Sequence, residues 1–75
     1  MDEFKAKILR YRKRTEEDGT DIQYTVIRLP RTIGFIQYNE GWRFECCDID
    51  SFTADELHEI SDFLVYVINK YPNGS

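Results

Sequence analysis

The stretch "TIGFIQYNEGWRFEC", residues 32–46, constrains the fold more than any other part of the chain. Two runs rich in aromatic and β-branched residues flank Asn39-Glu40-Gly41, and a three-residue loop with Gly last suits a type I turn followed by a left-handed residue. A hairpin folded there sets Tyr38 opposite Trp42, Ile36 opposite Phe44 and Gly34 opposite Cys46. That makes one largely apolar face, with Gln37, Arg43 and Glu45 on a wet face behind it. Ile33 and Phe35 are apolar exceptions on the wet side.

A lone hairpin is only marginally stable, so the rest of the chain must cover it. Residues 4–14 alternate as a strand, with Phe4, Ala6 and Ile8 on one face and Leu9 and Tyr11 taking over after a phase change that predicts a bulge. Asp18-Gly19 marks a turn. A second strand runs over 21–29 with Ile22, Tyr24 and Val26 on one face, ended by Pro30. The hairpin supplies strands over 32–38 and 42–47. Thr53-Ala54-Asp55-Glu56 fits a capping box, with Phe52 and Leu57 as its hydrophobic staple, and opens a helix over 53–70 that Pro72 stops. Leu57, Ile60, Leu64, Ile68 and Tyr71 make its expected core stripe. Asn73-Gly74-Ser75 reads as a frayed end.

The expected fold is therefore α+β: one small domain spanning 1–75, with a four-stranded, mostly antiparallel sheet and one C-terminal helix packed on one face (ββββα). A chain of 75 residues has room for one such domain. The order of elements, with "ILRYR…DGTDIQY", resembles chromodomain-like modules. Their Trp-containing third strand does not map here, because "RTIGFIQYNEG" intervenes, and no family is assigned.

Chemistry is sparse. "DIDSFTADELHE" puts Asp48, Asp50 and Glu59 at the first, third and twelfth positions of a calcium-loop pattern. Thr53 stands where that loop needs Gly and Phe52 where it needs an oxygen donor, so no metal is expected. Adjacent Cys46 and Cys47 point to opposite faces of a strand, Cys46 inward and Cys47 outward, which separates them as zinc ligands. His58 pairs with Asp62 one helical turn on. The glycines are scattered, no nucleophile has a readable base, and neither catalysis nor a cofactor is expected. No apolar run approaches the ~20 residues of a membrane span, and the N-terminus is too charged for a secretory signal.

Charge is uneven: the net −4 divides into +2 over residues 1–43 and −6 over 44–75. Three surfaces follow. An acidic stripe of Asp48, Asp50, Asp55, Glu59 and Asp62 resembles a row of phosphates. An aromatic patch of Phe63 and Tyr66 on the helix, with Phe35 on the sheet, suits a protein contact. A basic strand of Lys5, Lys7, Arg10, Tyr11, Arg12, Lys13 and Arg14 suits a nucleic-acid backbone, with Tyr11 or Tyr24 stacking on bases, or simply guards a sheet edge. The leading expectation is a non-enzymatic protein-binding domain. Its size and acidity are those of phage-encoded inhibitors of host defence or nucleic-acid-handling proteins, acting in the host cytoplasm. The alternatives are direct nucleic-acid binding through the basic strand, and a homodimer joined through Phe63 and Tyr66 or the free sheet face.

Overall fold

Alternating apolar and polar residues give four strands, and a capped amphipathic segment gives one helix. The computed structural model, which describes residues 4–15, 22–47 and 51–74, has β1 (Arg10–Thr15), β2 (Ile22–Arg28), β3 (Arg31–Tyr38), β4 (Trp42–Cys46) and α1 (Ala54–Lys70). The strands form one antiparallel meander in the order β1-β2-β3-β4, with α1 following. The ββββα architecture is thus the one the sequence implies.

Pairing between β3 and β4 runs Tyr38↔Trp42, Ile36↔Phe44 and Gly34↔Cys46, the register read from the alternation. The loop itself departs from a type I turn. Glu40 has φ 58° and Gly41 φ 126°, so a non-glycine residue takes the left-handed conformation. Gly34 is required by contact: a Cβ there would lie 2.5 Å from the Phe44 ring and 2.8 Å from the Glu45 carbonyl oxygen. β2 and β3 join through Leu29-Pro30, whose peptide bond is cis.

Ile33 is not on the wet face. β2 and β3 shift register between Val26 and Ile27, so Gly34 pairs with Val26 while Thr32 pairs with Ile27. Ile33 is the extra residue of that bulge and turns into the core. The expected strand over 4–14 is shorter. Residues 7–9 bend before β1 begins at Arg10, and Leu9 is buried there.

The core lies between the sheet and α1 and comprises Leu9, Ile22, Tyr24, Val26, Ile33, Ile36, Ile60, Phe63 and Val67. The capping box is complete: the Glu56 amide donates to Thr53 Oγ1 at 3.0 Å, and the Thr53 amide donates to Glu56 Oε1 at 2.9 Å. The helix is turned differently from the expected stripe. Glu56, Glu59, Ile60, Phe63 and Val67 face the sheet, whereas Leu57 is 51% and Ile68 46% exposed. Phe52, the expected staple partner of Leu57, lays its ring edge-on against Phe44 at 5.7 Å and beneath the Arg28 guanidinium at 5.6 Å.

The C-terminal end is tied down. The Trp42 indole donates to the Tyr71 carbonyl at 2.6 Å, and the Gly74 amide donates to the same oxygen at 3.1 Å. Gly74, with φ 89°, lies against the Tyr38 ring, so this residue of the expected frayed end is packed instead, while Asn73 is exposed and Ser75 lies outside the described residues.

Candidate functional site

Glu59 was expected in solvent at the centre of an acidic stripe. It is 8% exposed. Its Oε2 accepts from the amides of Lys7 and Ile8, both at 2.8 Å, and its Oε1 from the amide of Leu9 at 3.0 Å and the Tyr11 hydroxyl at 2.9 Å. The bend ahead of β1 turns three successive amides toward one point, and a carboxylate is the group that satisfies them together. Burial pushes the Glu59 pKa up, but the Lys7, Leu9 and Ile8 amides with the Tyr11 hydroxyl outweigh it and hold the group below the usual carboxylate range. Burial first, and then Glu59, drives the Tyr11 phenol far above its usual value. Four donors occupy about all the lone-pair sites of one carboxylate. None remains for proton transfer.

The acidic stripe therefore does not exist as drawn. Asp55 and Asp62 are exposed, and Asp62 Oδ2 lies 3.5 Å from His58 Nε2. Asp48 and Asp50 lie outside the described residues. Glu56 also turns inward, where Arg28 Nε and Nη2 each reach its carboxylate at 2.7 Å. The Arg28 fork chiefly, and then the Thr53 amide, hold its pKa below the usual range. Among the described residues no group of three or more His, Cys, Asp or Glu side chains is placed to hold a metal ion. Cys46, expected inside, is exposed because it stands at the end of an edge strand, and Cys47 is half-buried.

The aromatic patch separates as well. Phe63 is 3% exposed and stacks on Tyr11 with centroids 4.0 Å apart, because the core side of α1 is centred near it. Tyr66 is half-buried against Phe4 and Phe63, and its hydroxyl accepts from Lys70 Nζ at 3.1 Å. These rings, with Ala6 and Tyr24, line a hollow of about 230 Å³. Burial, then the neighbouring Tyr71 and Tyr66, push the Tyr24 pKa up to about 12. Tyr71 goes the other way, lowered chiefly by the Lys13 ammonium that donates to its hydroxyl at 3.0 Å. Phe35 belongs to the opposite face of the sheet.

That opposite face is where the basic residues assemble. Tyr11 points to the helix side, and Lys5 and Lys7 precede the strand, so these three leave the expected set. Arg10, Arg12 and Arg14 remain, alternating on the far side of β1. Pairing carries the rows across: Arg12-Thr25-Phe35-Glu45, Arg14-Gln23-Gln37-Arg43 and Arg10-Ile27-Thr32. Strands about 4.8 Å apart and same-face residues about 6.7 Å apart along a strand make this a lattice of four guanidinium groups around one half-buried ring. Arg43 Nε donates to the Asn39 carbonyl at 2.7 Å, which orients that guanidinium, and beside it Gln37 Nε2 donates to Glu45 Oε1 at 2.8 Å. α1 covers the other face, and among the described residues no element covers this one. Arg43 is the member the sequence did not group with β1. Its own parity placed it on the wet face, but only the strand order joins its row to Arg14.

No family model, no curated protein and no solved structure matches this chain. Among the described residues no helix is long and apolar enough to cross a membrane.

Proposed function

We propose that this chain is a non-catalytic binding module that holds single-stranded nucleic acid on the open face of its sheet. The observation that carries this reading is the lattice of Arg10, Arg12, Arg14 and Arg43 around Phe35, four arginines against one glutamate among the described residues of a face that α1 leaves bare. Guanidinium forks match phosphate oxygens in pairs. An aromatic face among them stacks a base for about 1–3 kcal/mol without choosing its sequence. The rival reading, an acidic protein that imitates phosphates, loses its central carboxylate, because Glu59 is spent inside on amides.

The chain's net charge of −4 resists long-range attraction to a polyanion. Binding is then local and strongest at low salt. Four phosphate contacts give a slope of log affinity against log salt of about −3, at about −0.7 per contact for a single strand. Fluorescence anisotropy of a labelled single-stranded oligonucleotide, titrated at several salt concentrations, tests it. Arg12→Glu and Phe35→Ala should each weaken binding, and the arginine variant alone should flatten the slope. A wild-type protein that gives no anisotropy change at the lowest salt rules the reading out.

A further inference from the structure

The two edges of the sheet differ. β1 carries Arg10, Arg12, Lys13 and Arg14, so a second β1 laid against it would bring like charges together. β4 carries Trp42, Arg43, Phe44, Glu45 and Cys46, and it is the other edge. The Cys47 amide donates to the Ile33 carbonyl at 2.9 Å, and antiparallel ladders alternate. Arg43, Glu45 and Cys47 therefore turn their backbone groups to β3, while Trp42, Phe44 and Cys46 turn theirs to the free edge.

We propose that β4 is a self-association strand: two copies of this chain pair through it, antiparallel, about a two-fold axis at Phe44. That register sets Phe44 opposite its symmetry mate and Trp42 opposite the second copy's Cys46, so all three outward-facing residues meet outward-facing partners. It also sets Arg43 opposite Glu45 of the second copy, twice, on the open face. Centring the axis one residue earlier would place Arg43 on Arg43, and one residue later Glu45 on Glu45. Charge selects one register among the neighbours, as a self-complementary interface requires.

The helix supplies the apolar part. Glu59 and Tyr66 are on the β1 side of α1, where they meet Lys7, Tyr11 and Phe4. At about 100° per residue, Leu57, Leu64 and Ile68 lie roughly half a turn round from them, on the β4 side. Leu57 and Ile68 are exposed and Leu64 half-buried. Their spacing of 7 and 4 residues is that of a helix seam. The axis at Phe44 stands perpendicular to the sheet, so both helices fall on one side and turn these seams toward each other. The two arginine lattices become continuous on the other side. The proposal rests on the strand order and the exposed seam and does not need the nucleic-acid reading.

Sedimentation equilibrium over a range of protein concentrations tests it. The wild type should dimerise. Arg43→Glu and Glu45→Arg, both at exposed positions, should each weaken the dimer about tenfold or more, because each sets like charges opposite one another. An equimolar mixture of the two variants should dimerise again, since every facing pair is then opposite in sign. The double variant should also behave as the wild type. A wild type that stays monomeric at its highest soluble concentration overturns the proposal. So does a dimer that both single variants leave intact, or a mixture and double variant that both stay monomeric while circular dichroism shows them folded.

Discussion

The phenol of Tyr11 donates to the carboxylate of Glu59 across 48 residues of sequence, at 2.9 Å, and the same carboxylate closes three amides of the bend before β1. This one group fixes where the N-terminal segment enters the sheet and which way α1 is turned. Replacing it leaves buried donors unsatisfied. Glu59→Ala should lower unfolding free energy by about 3 kcal/mol, and Tyr11→Phe, which leaves the three amides paired, by about 1.5 kcal/mol. Glu59→Gln should resemble the alanine variant more than the wild type, because its amide nitrogen is a donor facing donors. Urea denaturation of the three variants checks the order. A glutamine variant as stable as the wild type would mean that the charge on Glu59 is not needed.

Acid should unfold the protein through the same contacts. Glu59 and Glu56 both have folded pKa values below the ordinary 4.5. A depressed carboxylate contributes stability that is complete above its unfolded value and is lost as pH falls through its folded value. Melting temperature should hold steady down to about pH 4.5 and then decline, with a shallower decline in Glu59→Gln. The alkaline side follows from Tyr24, raised from 10.0 to about 12. Its folded state keeps the proton, so its contribution is complete below pH 10 and is lost as pH rises toward 12. Thermal scans across pH, with phenolate absorbance recorded alongside, test both limbs.

Glu40 holds φ 58° in the β3–β4 loop, a conformation that costs a non-glycine residue about 1–2 kcal/mol. It is exposed. Glu40→Gly should therefore stabilise the fold, by about 0.5–1 kcal/mol after the added freedom of the unfolded chain is counted. Chemical denaturation reads this directly. A destabilised glycine variant would show that the loop gains more from the glutamate than its backbone loses.

The hairpin register was legible because its cross-strand pairs agree with one another, and a slip of one residue would have inverted every pair. The capping box was legible because it is local. The rotation of α1 was not, because the helix carries two apolar stripes. Leu57, Leu64 and Ile68 fit the period as well as Ile60, Phe63 and Val67. Hydropathy favours neither, and the true inner face begins with two glutamates that no pattern count would place inside. What chose between them is long-range: Arg28 for Glu56 and the amides of residues 7–9 for Glu59. The acidic stripe and the helical part of the aromatic patch both presuppose the other rotation, so they separate together. The arginine lattice was half legible, since alternation on β1 is local but the rows that bring Arg43 and Phe35 beside it need the strand order.

The rotation itself gives a contrast between two stripes of one helix. Phe63 is 3% exposed and in ring contact with Phe4, Tyr11, Tyr24 and Tyr66. Phe63→Ala should cost about 3–5 kcal/mol, enough to unfold much of so small a domain. Ile68 is 46% exposed, and Ile68→Ser in the dilute protein should cost less than about 1 kcal/mol. Leu57→Ser should behave like Ile68→Ser, although the period of the sequence groups both with the buried Ile60. Denaturation at low protein concentration isolates the single chain from any association. Equal losses for Phe63→Ala and Ile68→Ser would return Ile68 to the core and remove the exposed seam of Leu57, Leu64 and Ile68 that supplies the apolar part of the β4 interface.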